Sequence, residues 1–238
     1  WGASGLAVAW AEENTRESIF NAFRRKETFA TTGTRIALRF FGGYNLSSID
    51  LNSDTLVSEA YDKGVTMGSD LLNDDNKTPE FIVWAQRDKD GAPLQRVQII
   101  KGWIDFNSGR PFEKVFDIAC SDGLEPDPIT NRCPDNGAKV NINDCSISSN
   151  VGSSELKTVW RDPEFIPTDK IFYYVRVLEN PTCRWSTWDA IKSGFKPRED
   201  LHETIQERAW SSPIWYIPEE SDVEVVPLGG TIELRTID

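Results

Sequence analysis

The chain has 238 residues, 39% of them apolar and 27% charged, with a formal net charge of −12. That length holds one large β domain or two small ones and buries roughly 70% of the unfolded surface, while no apolar run approaches the ~18 residues of a membrane span. The acidic balance excludes the basic footprint by which proteins displace counterions from nucleic acid, and it argues against docking on anionic lipid.

The chain begins at Trp1 without an initiator methionine, and no basic flank followed by an apolar core marks a signal peptide. The spacing predicts an amphipathic helix over residues 14–26. Asn14 is its expected N-cap and Glu17 completes a capping box. Ile19, Phe20, Ala22 and Phe23 form one apolar face, and Arg24, Arg25 and Lys26 complement the dipole in the last turn. The period then changes. Residues 28–31 read as a short strand, Thr32-Gly33 as a turn, and the alternation of Ile36, Leu38 and Phe40 with Arg35, Ala37 and Arg39 as a half-buried strand. Residues 45–75 are polar and irregular. FIVWA (81–85) and RVQIIK (96–101), separated by the turn DKDG (88–91), read as a β-hairpin. KVFDIA (114–119), residues 156–160, IFYYVRVL (171–178), 214–217, 223–226 and 231–235 read as further strands, with one helical turn expected in 197–206. Many short strands between turn signals predict a mainly β fold: a β-sandwich-like domain of antiparallel strands preceded by one helix.

Four cysteines lie at 120, 133, 145 and 183, three of them in an aperiodic stretch from about 121 to 154 rich in Asp, Asn, Pro and Gly. Their spacing does not suit zinc; an even number in such a loop reads as two disulfides and an oxidising compartment. Three pairings are open. Local loop closure favours Cys133–Cys145, with Cys120–Cys183 as the longer tie, each contributing about 2–4 kcal/mol.

The single histidine, His202, cannot furnish a multi-metal centre and reads as a surface or structural residue. No nucleophile elbow or phosphate-cradling glycine pattern is present. Asp122, Asp127, Asp135, Asn141, Asn143 and Asp144 are hard oxygen donors of the kind calcium takes, without EF-hand spacing; the competing reading is that they bond their own backbone in turns. Glu12, Glu13 and Glu27 read as charge flanking the helix rather than as an acid–base pair. Trp160, Trp185, Trp188, Trp210 and Trp215, with Tyr173, Tyr174 and Tyr216, form an aromatic-rich C-terminal half. They are read first as core packing and second as a platform for sugar rings.

AVAWAEENTRESIFNAFRRKETFATTGTRIALRFFGG, GVTMGSDL, QRVQIIKGWID, EKVFDIACSDG, FYYVRVLENPTCRWSTWDA and IQERAWSSPIWY together resemble the carboxy-terminal part of an exported bacterial family known as domain of unknown function 3604. The front part of such proteins resembles the polymerase-and-histidinol-phosphatase (PHP) class of metal-dependent phosphoesterases. The resemblance implies that residues 1–30 are the C-terminal remnant of that metallohydrolase-like domain. Residues 31–238 would then be an appended β-rich accessory domain with a disulfide-tied loop at 120–154, and Trp1 a cut. It carries over no catalytic residue and no metal ligand; a divalent metal is expected in the missing N-terminal domain, and no cofactor in this chain. It implies that Trp10, Glu12, Glu13, Asn14 and Arg16, and on weaker grounds Arg184 and Trp185, stand at the edge of the parent active site. The expected partner is that N-terminal domain, with homo-oligomer contacts as a further role, and the expected location is the periplasm or the cell exterior. The alternative is a glycan-binding sandwich that uses exposed Trp and Tyr.

Overall fold

The computed structural model describes residues 5–219, 223–228 and 231–236. In chain order the first half runs β1 (Leu6–Ala9), α1 (Arg16–Arg24), β2 (Thr28–Thr31), β3 (Ala37–Gly43), a 3₁₀ turn (Leu46–Ser48), α2 (Leu56–Lys63), β4 (Gly64–Thr66), β5 (Asp70–Leu72), β6 (Glu80–Gln86), β7 (Leu94–Ile104) and β8 (Pro111–Cys120). The second half runs β9 (Val140–Asn141), β10 (Ser146–Ile147), β11 (Glu155–Arg161), β12 (Lys170–Glu179), β13 (Thr182–Cys183), α3 (Trp185–Ser193), β14 (Thr204–Ile205), β15 (Arg208–Ser211), β16 (Ile214–Ile217), β17 (Val223–Leu228) and β18 (Thr231–Thr236).

The fold is mainly β, as the alternating strands predict. Two sheets face each other across one core. β12 is the spine of the larger sheet. Its alternation buries Ile171, Tyr173, Val175 and Val177 on one face, the pattern of a strand with one side in a core. Along one edge it pairs with β7, which pairs with β8; its other edge is shared by β15 and β16. β15 leads on to β2 and β1, while β5 joins β16 in parallel. The smaller sheet has the order β11-β6-β3-β4, all antiparallel. Leu38, Phe40, Phe81, Val83, Ala85 and Leu156 turn from it into the shared core. β1 and β2, and so residues on both sides of position 30, are bonded into one sheet.

The outer face of the smaller sheet carries a second, smaller core. Leu46, Ile49, Leu56 and Ala60 pack on Phe41 and Ile82. This accounts for α2 and the 3₁₀ turn within residues 45–75, which the sequence marks only as irregular. An eight-residue helix is not stable alone and forms here because its apolar stripe has a sheet to cover.

Three local expectations are corrected. First, 81–85 and 96–101 are not a hairpin. β6 pairs with β3 and β11, whereas β7 pairs with β8 and β12, so the turn at 88–91 carries the chain from one sheet to the other. Both strands are central and need partners on two edges, which a hairpin alone cannot supply. Second, α1 starts two residues later than expected. Thr15, not Asn14, is the N-cap and accepts from the Ser18 amide, while Ser18 Oγ accepts from the Glu13 amide. Third, the helix near the C-terminal region is α3, over 185–193, not in 197–206; it ends on Gly194, whose φ of +70° suits glycine.

The disulfides also differ from Cys133–Cys145 and Cys120–Cys183. The bonds formed are Cys120–Cys133 and Cys145–Cys183, with Cα atoms 5.7 and 5.6 Å apart. The buried Asp117 carboxylate on β8 decides this, because it accepts from the Cys133 amide (2.7 Å), Gln98 (2.6 Å) and Arg96 (2.9 Å). It pulls the returning loop onto β8 beside Cys120. Cys145, at φ +58°, then turns away from the β9–β10 ribbon toward Cys183.

Candidate functional site

The sequence marks the β1–α1 corner, and there the structure builds a polar and aromatic cluster around Trp10. Trp10 follows β1. Its amide donates to the Glu27 carbonyl (3.0 Å), its indole Nε1 donates to the Leu38 carbonyl (2.8 Å), and its ring packs on Phe29. These contacts hold the indole against β3. The Arg39 guanidinium lies 3.7 Å from the centroid of the Trp10 ring, a cation–π contact.

Arg39 also donates to the Tyr61 hydroxyl (2.8 Å), and Tyr61 in turn donates to Glu27 Oε1. Glu27 is buried at 3% exposure and receives Thr66 Oγ1 (3.3 Å) and Arg25 (3.4 Å) as well. With the Arg39 guanidinium 3.9 Å away, its charge is met from four sides, as a buried carboxylate requires. Burial and the Glu27 hydrogen bond push the Tyr61 phenol above its ordinary value.

Across the smaller sheet Arg39, Trp84 and Lys157 stand in register. Lys157 Nζ is 4.9 Å from the Trp84 ring centroid, so cations and indoles alternate: Trp10, Arg39, Trp84, Lys157. Glu155 closes the row. It accepts from Trp84 Nε1 (2.8 Å) and Gln86 (3.1 Å) and pairs with Lys157 (3.0 Å). Burial pushes its carboxyl up, but Gln86, Lys157 and Trp84 outweigh this and hold it below its ordinary value. Beside α2 this face holds a shallow groove of about 260 Å³, lined by Trp10, Ala37, Arg39, Val57, Trp84 and Gln86.

Of the other residues expected beside Trp10, Glu12, Glu13, Asn14 and Arg16 are all exposed on the corner above it. Arg184 and Trp185 are not brought to it. Trp10 bonds at the Glu27 end of β2, near Ser212, whereas Arg184 bonds to the carbonyls of His202 and Glu203, beyond the Arg208 end. His202 is exposed. Arg39, Trp84 and Tyr61 carry no local signal: Arg39 holds an ordinary outward position of an alternating strand, and Trp84 lies within an apolar one.

The C-terminal aromatics take several roles, with Trp185 and Trp188 exposed on α3. Trp160, Tyr173 and Tyr216 pack in or against the core. Phe172, Tyr174 and Trp215 make a strip on the outer face of the larger sheet. Phe172 lies 5.1 Å from Trp215 and 6.3 Å from Tyr174, and it is laid over Gly102, where a Cβ would meet its ring at 2.3 Å. The Asp and Asn residues of the long loop mostly bond local backbone: Asp127 receives Ile129 and Thr130, Asp135 receives Gly137, Asn141 receives Asn143 and Asp144 receives Ser146. Those contacts follow the turn reading. Among the described residues no group of three or more His, Cys, Asp or Glu is placed to hold a metal ion.

No curated protein and no solved structure matches the chain. A family model described as protein of unknown function (DUF3604) matches residues 1–218, and the chain accordingly belongs to that family.

Proposed function

We propose that this chain is the accessory β-sandwich of a longer, exported, PHP-like metal-dependent hydrolase, and that its β1–α1 corner is where the catalytic domain seats. One observation carries the reading. α1 turns Ala22 inward but leaves Phe20 59% and Phe23 52% exposed, with Leu6 of β1 38% exposed. A nine-residue helix that shows its aromatic residues to solvent is a face with a partner. Glu12, Glu13 and Arg16 rim that face, and the cation–indole row beneath gives it a stiff floor. The sandwich braces its neighbour and carries no chemistry of its own. The two disulfides fit an oxidising, extracellular location.

The test is the double substitution Phe20→Ser/Phe23→Ser, made in both the complete gene product and this chain. This chain should change stability by less than about 0.5 kcal/mol, as for exposed sites. The complete protein should unfold earlier and lose turnover of a generic phosphomonoester. Equal behaviour of wild type and variant in the complete protein, or phosphoester turnover by this chain alone, defeats the reading.

The Phe172–Tyr174–Trp215 strip favours a second reading, a glycan platform, since flat aromatic faces stack on sugar rings. Tryptophan fluorescence during oligosaccharide titration separates the two: a response abolished by Trp215→Ala supports the platform, and no response removes it.

A further inference from the structure

The inward alternation of β12 through Ile171, Tyr173, Val175 and Val177 continues to Glu179, which is 0% exposed. Asp117, Asp162, Glu80 and Glu27 are also buried, and each is met by a cation: Arg96, Lys101, Arg161, and Arg25 with Arg39. Among the described residues no cation acts on Glu179. Its charged neighbours are acids: Glu207, in the approach to β15, and Asp88, in the crossover between β6 and β7, both act on its carboxyl. The Glu179 amide donates to the Glu207 carbonyl (2.9 Å), and the buried Oε2 of Glu207 has no hydrogen-bond partner. The nearby cations serve other groups: Arg35 and Lys89 act on Asp88, and Arg208 Nε donates to the Gln206 carbonyl (3.1 Å). The Thr34 hydroxyl and the Ala92 amide are the donors that act on the Glu179 carboxyl, and they do not offset its burial.

The crossover covers this group. Residues 87–93 carry the chain from β6 to β7, with Ala92 and Pro93 buried and Lys89 and Asp90 exposed. Gly91 passes against the carboxyl, where a Cβ would lie 3.0 Å from Glu179 Oε1, and the Pro93 carbonyl accepts from the Asn180 amide (2.8 Å). A carboxylate enclosed in this way without a cation is costly, whereas a carboxylic acid is neutral and brings a donor to a cluster in which Glu207 Oε2 lacks one. We propose that Glu179 is a proton-operated latch: with its proton it keeps the 87–93 crossover seated on this end of the sandwich, and without it the carboxylate draws in water and loosens that crossover. Burial, with Glu207 and Asp88 adding to it, pushes the Glu179 carboxyl up to about 7, so the latch works near neutral pH. A carboxyl raised in the folded state costs nothing below its unfolded pKa. The cost grows as pH rises toward the folded value and is constant above it. The latch uses residues of this chain alone and is independent of any preceding domain.

The experiment takes the whole chain as wild type and as Glu179→Gln, which keeps the shape and removes the titration, and follows urea unfolding of both as pH is raised. The other carboxyls titrate in both proteins, so the ratio of the two folding constants isolates Glu179. That ratio should move in favour of the variant by about 100-fold between about pH 5 and about pH 9, as a folded value of about 7 against an ordinary 4.5 implies. It should be level above about pH 8. Hydrogen exchange, corrected for its intrinsic pH dependence, adds a local readout. In wild type the amides of Gly91, Ala92 and Glu179 should lose protection over the same range while those of Tyr173 and Val175 keep theirs, and in the variant none should change. If Glu179→Gln does not fold, exchange in wild type carries the test. A ratio that stays constant with pH, or protection at the crossover that does not fall, overturns the latch. Protection lost equally at Tyr173 and Val175 shows a general loss of stability and overturns it as well.

Discussion

Asp117 and Glu80 show how single side chains hold distant segments of this protein. Asp117, on β8, gathers Arg96, Gln98, Arg132 and the Cys133 amide, and so fixes where the loop after β8 returns. Glu80, 4% exposed at the start of β6, accepts from the Ser47 amide (2.7 Å), the Ser47 hydroxyl (3.2 Å) and Arg161 (2.8 Å), and so pins the 3₁₀ turn to both β6 and β11. Burial pushes the Glu80 carboxyl up, but the Ser47 and Arg161 contacts outweigh it and hold the group below its ordinary value. A carboxyl lowered in the folded state stabilises above its unfolded pKa, and that stabilisation is lost as pH falls through the folded value. Glu80→Gln should therefore cost about 1–3 kcal/mol at pH 7. The gap to wild type should close on the acid side, below the unfolded glutamate pKa of about 4.5. Urea unfolding of both proteins at several pH values measures this; a gap that is constant with pH contradicts it. Glu80 was silent in the sequence, because nothing local tells an inward carboxylate from an exposed one.

The elements were legible in proportion to how local their causes are. The alternation in IFYYVRVL is a property of the strand itself, and β12 forms where it predicts. The apolar spacing of α1 is also local, and the helix forms. Its aromatic face remains uncovered, since the partner of a face is not written in the helix. α2 and α3 were missed: the first depends on Phe41 and Ile82 beneath it, and the second sits between a disulfide and a ribbon. Glycines mark the tightest joints. Gly68 has φ +90°, and a Cβ there would lie 2.3 Å from the Lys26 carbonyl oxygen and 2.6 Å from its carbon. Backbone on one side and a disallowed φ on the other leave no relaxation. Gly68→Ala should cost at least about 3 kcal/mol. Gly109→Ala, at φ +64° with nothing within 4 Å, should cost only about 1–2 kcal/mol. Urea midpoints of the two variants provide the comparison, and equal losses would refute it.

Across the whole molecule the disulfides tie the long excursion after β8 to the larger sheet and its flank. Closing 13 and 38 residues removes unfolded-chain entropy worth about 3 and about 4 kcal/mol respectively. Cys145→Ser/Cys183→Ser should thus destabilise more than Cys120→Ser/Cys133→Ser. Peptide mapping without reduction should recover 120–133 and 145–183 as the linked pairs, and the unfolded, unreduced chain should titrate no thiol. Recovery of a 133–145 peptide would reject this topology. Among the described residues no helix is long and apolar enough to cross a membrane.

The sequence by itself determined the β class, most strand positions, the first helix, the presence of two disulfides and the family. Each of these follows from period, composition or ordered segments that a single stretch of chain carries. Only the tertiary structure decided which strands pair, which cysteines join, and that Trp10 stacks with Arg39. Those are closures between residues far apart in the chain. Their energies depend on which edges and faces come together, and a local pattern is the same whichever partner it finds.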